Sequence, residues 1–369
     1  STSNFTLNLD DFGPSFTSEE VTMLVSSNSS FSSPTEINAT SVTSNIANFE
    51  NVTINDGDYI SFAIAKVESA DIVPGGVSTL LNTRFWYQSE SLDLTNNSTV
   101  TSWENQGSNG LPFNQATNSN RPIFLEDQTN GFPALIFDGT NDLMKIDNND
   151  DINLSEPYSS RTFSMVFNSG SDISSTQVLY QEGGSTRSLQ FFIKGGNLYY
   201  AGYNDSNDGA GSPWSYTSAS TPILANTDYV LSYVYKGNST TTGTIECYLN
   251  GSLVGTINNI GLLYTHTGDI TIGGNGNNTL LIDGSTVGTN SNYFEGSITE
   301  FAMYDESLNT AQIGILHNYY ASKYDLALTA NDLYAYDSSV EGDFDYNLVG
   351  IYDNSSDIKS QSYTGTGIV

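Results

Sequence analysis

The chain has 369 residues, with 41 Asp and Glu against 10 Lys and Arg, a formal charge of −31, 37% hydrophobic residues and a single cysteine. Nothing in it can replace the counterions of a polyphosphate, which excludes nucleic acid and anionic membranes as partners; such acidity suits solubility and divalent cations instead. The hydrophobic fraction supports real cores, the lone Cys247 forbids an internal disulfide, and no apolar run is long enough to insert in a membrane.

Residues 1–66 read as a small β-module. Phe5, Leu7 and Leu9 alternate, followed by Val21, Met23 and Val25, then Ile46 to Phe49 and Tyr59 to Ile64, with a turn at Asn55-Asp56-Gly57-Asp58. A linker over residues 67–82 is punctuated by Pro74-Gly75-Gly76. From Thr83 to about residue 327, short apolar runs separated by Gly, Asn and Asp turns roughly every 8–12 residues predict a β-sandwich. The stretch Asp228–Gly255 carries the plainest signal. Ile245, Cys247 and Leu249 share one face of a strand, Glu246 and Tyr248 the other, and the chain reverses at Asn250-Gly251, the pair that suits a type I′ turn. One helix follows: Asn309 caps it and Gln312 completes a capping box, with Ala311, Ile315, Leu316, Tyr319 and Tyr320 along one side to about Lys323. Residues 328–369 read as the opening strands of a further, incomplete β-module.

The motifs PALIFDGTNDLMKI, RTFSMVF, VLYQEGG, CYLNGSLVG and ITEFAMYDESLNTAQI, in this order between about Leu80 and Leu328, resemble the laminin-G-like, concanavalin-A-type jelly roll of bacterial surface proteins. The stretch HNYYASKYDLAL, followed by LYAYDSS and FDYNLVGIYD, is similar to an extension in very large repetitive adhesins of gliding bacteria. The resemblance implies an all-β jelly roll with one short helix, export by type IX secretion to the bacterial cell surface, and adjacent repeats of the same parent protein as partners. The chain contains no sorting domain of the kind such proteins carry at their C-terminus.

Convergent catalytic groups are scarce. His266 and His317 are the only histidines, no His-Cys or His-Ser constellation is present, and no stretch matches the ExDxxE strand of hydrolases that share this jelly roll, so a non-catalytic protein is expected. Asp147, Asn149 and Asp151 alternate in a loop with a spacing that can wrap Ca²⁺; the same residues also read as a solvated Asx-rich loop. Asn275, Asn277 and Asp283 form a second candidate in the long loop from Gly274 to Tyr293. For glycan contact, Tyr203, Asp205, Asp208, Trp214 and Tyr216 combine aromatic faces with hydroxyl acceptors. Trp214, directly after Pro213, reads equally as a plug for the sandwich edge. The expected function is that of a secreted adhesin fragment binding a glycan or another surface polymer, with calcium assistance; the alternative is a structural spacer repeat with no ligand.

Overall fold

The computed structural model describes residues 2–9, 18, 21–27, 34–44, 46–64, 73–150, 152, 157–204, 214–281, 285–332, 349–353 and 358–362. Two compact units emerge, one built on Ser1–Asp71 and the other on Ile72–Asn354.

The first unit contains β1 (Thr2–Asn8), β2 (Val21–Ser26), β3 (Thr35–Asn38), β4 (Ser41–Thr43), β5 (Ile46–Thr53) and β6 (Tyr59–Ile64). They form two three-stranded sheets, β1-β5-β4 and β3-β2-β6. Alternation does the sorting: Val21, Met23, Ala47, Phe49 and Val52 point inward to a small core that also holds Leu9.

The second unit is an all-β sandwich with one helix. Its first strands are β7 (Thr83–Gln88), β8 (Ser98–Thr99), β9 (Ser102–Trp103), β10 (Phe113–Asn114), β11 (Ile123–Thr129), β12 (Phe132–Asp138) and β13 (Met144–Ile146). Then come β14 (Ser160–Asn168), β15 (Gln177–Gly183), β16 (Arg187–Lys194), β17 (Asn197–Asn204), β18 (Trp214–Pro222) and β19 (Asp228–Lys236). The series continues through β20 (Gly243–Leu249), β21 (Ser252–Ile260), β22 (Ile270–Ile272), β23 (Thr279–Leu281), β24 (Ser285–Val287) and β25 (Glu295–Tyr304), followed by α1 (Thr310–Tyr324). Beyond the helix, β26 (Val349–Asp353) pairs with β27 (Ile358–Ser362). Eight strands run in the order β18-β17-β16-β15-β22-β13-β10-β9; the facing nine-stranded sheet runs β21-β20-β19-β14-β25-β12-β11-β8, with β7 also paired to β25.

Between the sheets lies an aromatic core. Tyr180 of the eight-stranded sheet sits 4.8 Å from Phe163 and 5.2 Å from Phe301 of the other, measured between ring centroids. Such offset ring pairs add about 0.5–1.5 kcal/mol each beyond the area they bury. The outer face of the nine-stranded sheet is apolar as well: Val166, Val230, Val234, Ala302 and Tyr304 pack against the helix through Ile313, Leu316 and Tyr320. The expected capping box is present, with the Asn309 side chain accepting from the Ala311 and Gln312 amides. The buried side of the helix differs from the expectation: Ala311 is exposed, while His317 and Tyr324 are buried. Val73 and Val77, in the stretch read as linker, are also buried, with Val77 packed in the cluster beneath the helix.

The Asn250-Gly251 turn forms with both residues at positive φ, 45° and 82°. It is tied in place from outside the hairpin. The Gly251 N–H donates to His317 Nδ1 at 2.8 Å, His317 Nε2 meets Ser232 Oγ at 2.9 Å, and the Thr329 N–H donates to Asn250 O at 2.8 Å. A Cβ at position 251 would lie 1.9 Å from Ala330 O. Gly251→Ala is therefore expected to destabilise this unit by about 2–3 kcal/mol, from a left-handed backbone plus a steric clash. Urea unfolding of the variant against the parent measures it.

Candidate functional site

The residues expected to meet a glycan divide. Tyr203 is 1% exposed; its hydroxyl donates to Gly184 O at 2.6 Å and accepts from the Leu280 N–H at 3.1 Å. Trp214 is 5% exposed, its Nε1 donates to Leu262 O at 2.9 Å, and its ring stacks on Tyr235 at 6.1 Å. Gly202 makes room for the indole, since a Cβ there would lie 2.9 Å from it. Tyr216 is half-buried beside Tyr203, and Asp205 and Asp208 lie outside the described residues. Neither Tyr203 nor Trp214 presents a ring face to solvent, and Trp214 occupies the position of an edge plug. Trp214→Ala is expected to cost about 3–5 kcal/mol of stability in chemical unfolding, the usual price of emptying a site this large.

The calcium candidates are engaged elsewhere. Lys145 Nζ lies 2.9 Å from Asp147 Oδ1 and 2.8 Å from Asp269 Oδ2, which puts a cation where the metal was expected. Asn149 Oδ1 accepts from the Ile152 N–H at 3.0 Å, and Asp151 lies outside the described residues. Asn275 is fully buried, and the Asn277 side chain holds the Asp269 backbone, accepting its N–H at 3.1 Å. Asp283 lies outside the described residues, and the loop around it contains the paired strands β23 and β24. Among the described residues no cluster of three or more His, Cys, Asp or Glu is placed to hold a metal ion.

At this same end of the sandwich is a buried charge cluster that the sequence did not reveal. Arg161 of β14 is ion-paired across the sandwich with Glu182 of β15; both are at most 1% exposed. Arg161 Nη2 also donates to Ile152 O at 2.6 Å, and the Tyr180 hydroxyl donates to Glu182 Oε2 at 2.8 Å. His266, 3.6 Å from Glu182, is 4% exposed, and burial pushes its pKa down to about 4 despite that carboxylate. Burial alone pushes His317 down to about 3. The folded chain thus holds both imidazoles neutral, whereas the unfolded chain protonates them near pH 6.5 and binds more protons below it. Their contribution to stability is complete above about pH 6.5 and falls away as the pH drops toward 4 for His266 and toward 3 for His317. Denaturant unfolding between neutral and acid pH is expected to show a shallower loss for His317→Gln than for the parent.

Opposite this end, an open groove of about 550 Å³ lies on the outer face of the nine-stranded sheet. Register builds it. Ile136, Ser297, Asn168 and Asp228 stand in one row across β12, β25, β14 and β19, and Asp138 faces Glu295 in the next. A register shift in β25 at Thr299 separates this row from the part of the strand under the helix. Gly296 keeps the floor open, since a Cβ would lie 2.3 Å from Asn168 O. Gln128 and Asn226 complete the polar wall, and the lining contains no Lys or Arg.

Like charges directly opposite, as at Asp138 and Glu295, destabilise a sheet unless something compensates. Here nearby loops do so. Asp138 Oδ1 accepts from the amides of Thr140 and Asn141 at 2.8 and 3.1 Å, and Glu295 accepts from Ser171 Oγ at 2.7 Å and the Asp172 N–H at 3.0 Å. Asp228 Oδ1 accepts from Asn168 Nδ2 at 2.9 Å. Among the described residues no donor meets the second oxygen of Asp138 or of Asp228, and a ligand hydroxyl can supply one. Asp142, behind Asp138, is pushed up to about 7 by burial and then by the Asp138 charge. None of these groove residues was singled out from sequence. One signal was present: Asp138, Asn168 and Glu295 each end or begin a strand within two residues of a glycine.

A family model described as the concanavalin A-like lectin/glucanases superfamily, of laminin-G type, matches residues 138–314, just under half of the chain. The jelly roll expected from the motifs is thus the fold found. No curated protein matches the sequence. Among solved structures the chain is similar to the binding domain of botulinum neurotoxin serotype D, at 12% identity and TM-score 0.46, over 64% of this chain and 51% of that one. It is also similar to the serotype G binding domain, at 10% identity and TM-score 0.47, over 77% and 66% of the two chains. A third is domain 4 of AbnA, a GH43 extracellular arabinanase from Geobacillus stearothermophilus solved with arabinotriose, at 13% identity and TM-score 0.44, over 64% and 98%. The match spans about half the length of the serotype D binding domain.

Proposed function

We propose that this laminin-G-like jelly roll is a non-catalytic glycan-binding module of a secreted bacterial surface adhesin, and that a sugar chain without anionic groups docks in the groove between Asp138 and Asp228. The observation that carries the reading is the lining: carboxylates and amides beside Ile136 and Phe137, with no Lys or Arg, in a groove of about 550 Å³. That volume lies within the usual range for small-ligand sites, about 300–1,000 Å³. Carboxylates and amides accept from and donate to hydroxyls, whereas a uronate or sulfate would meet only repulsion from a chain of formal charge −31. A non-catalytic role fits the same geometry, because Asp138 and Glu295 hold their own loops and Asp142, the raised acid, is 5% exposed. Export by type IX secretion, display at the cell surface and association with adjacent repeats belong to this proposal through the motif resemblance.

An array of neutral and anionic oligosaccharides probed with the whole chain tests it. Saturable binding to neutral members is expected, weakened by about tenfold or more in Asn168→Ala/Asp228→Ala, the loss of two polar contacts. An absence of any saturable ligand would return the chain to the spacer reading. Lys145 competes with any calcium at Asp147, so Lys145→Gln is expected to enlarge any rise in Tm between chelator and millimolar Ca²⁺.

A further inference from the structure

Beneath the end of α1 lies a cluster that takes no part in the groove. Lys323 is 6% exposed, and its Nζ lies 2.7 Å from Glu300 Oε2 and against Glu90 Oε1. Glu300 is fixed from both sides, accepting from Trp86 Nε1 and from the Tyr324 hydroxyl, each at 2.6 Å. Glu90 Oε1 also accepts from Gln88 Nε2 at 3.0 Å, and its other oxygen is buried with no hydrogen-bond partner among the described residues. The rings of Phe132, Tyr319 and Tyr324 flank the ammonium at 5.6, 5.5 and 4.9 Å and keep water away.

Two carboxyl groups thus share one cation, with Lys323 and Glu300 buried and the Glu90 side chain 24% exposed. Burial raises the pKa of Glu90, with the Glu300 charge adding to it and Lys323 opposing. Burial works against the Lys323 ammonium, while the Glu300 and Glu90 carboxyl groups work for it and hold its pKa raised when both are charged. The reacting form of the cluster is Glu90 as the neutral acid, toward which burial pushes it, beside the Lys323–Glu300 pair. These are the three parts a condensation needs: an uncharged carboxyl carbon, an amine, and a held base.

We propose that Lys323 and Glu90 join in an intramolecular amide bond. Glu300 takes one proton from the Lys323 ammonium, which low polarity favours over keeping two separated charges. The freed amine attacks Cδ of Glu90; the Nζ–Cδ bond forms, a Cδ–O bond breaks, and the departing hydroxyl leaves as water with a second proton from Nζ. Glu300 remains as the neutral acid next to the new amide. No oxidant or cofactor is required. Holding amine and acid in contact replaces an encounter in solution, an advantage that reaches effective molarities of about 10⁵ M or more when orientation is good. The bond ties the last turn of α1 to the 3₁₀ turn Ser89–Ser91 that follows β7, closing a covalent loop around nearly the whole sandwich.

Intact mass spectrometry of the purified full chain tests this directly. The expected result is a mass lower by one water than the sequence requires, with a proteolytic fragment joining the segment around Glu90 to that around Lys323. Lys323→Met and Glu90→Ala are expected at full sequence mass, and so is Glu300→Gln, which keeps the shape but removes the base. A parent chain at full sequence mass would overturn the proposal, as would a water loss that fragmentation places at an Asp-Gly pair. Bond formation in Glu300→Gln would overturn the role given to Glu300.

Discussion

Both faces of the nine-stranded sheet have to leave water, and the rest of the larger unit is arranged around that requirement. Its inner face meets the eight-stranded sheet through Phe163, Tyr233 and Phe301, while the outer face presents Val166, Val230, Val234 and Ala302. A single helix of 15 residues covers that outer face. Its length is about 22 Å at 1.5 Å per residue, shorter than the sheet is wide. The uncovered remainder is mostly polar: Ser297, Asn168 and Asp228 stand in one row with Ile136, and Asp138 and Glu295 lie beside it. The groove is thus a consequence of how far the helix reaches.

Electrostatics follows the same division. The chain has only 10 Lys and Arg. Arg161 and Lys323 are placed in the interior, each against buried glutamates, while Lys145, Lys236 and Arg84 are paired at the surface. A buried ion pair adds little net stability, because desolvating both charges offsets their attraction. What it does fix is position: Arg161 with Glu182 holds one sheet to the other, and Lys323 with Glu300 holds the helix to the sheet. With the cations so placed, the groove lining is left to carboxylates and amides.

Local signals in the sequence were reliable because their causes are local. The Asn250-Gly251 turn needs positive φ at two adjacent residues, and the helix start needs acceptors for its first amides, which Asn309 and Gln312 supply from within four positions. Alternation likewise assigned Ile245, Cys247 and Leu249 to one face, and all three are in the inner core. The helix face was only partly legible. His317 is polar by type, yet it is buried because Gly251 and Ser232 satisfy both of its nitrogens.

What the sequence determined by itself was therefore the fold class, the hairpin, the capped helix and a strongly acidic net charge, all set by neighbours in the chain or by summed composition. Tertiary structure alone decided which polar residues meet. Asp138, Asn168, Asp228 and Glu295 come together through strand register, and Glu90 meets Lys323 across more than half the chain. The same holds for Trp214, whose indole suits a sugar face or a core equally well. Its fate depended on Gly202 and Tyr235 leaving a slot of the right shape, and that is a property of packing between strands distant in sequence.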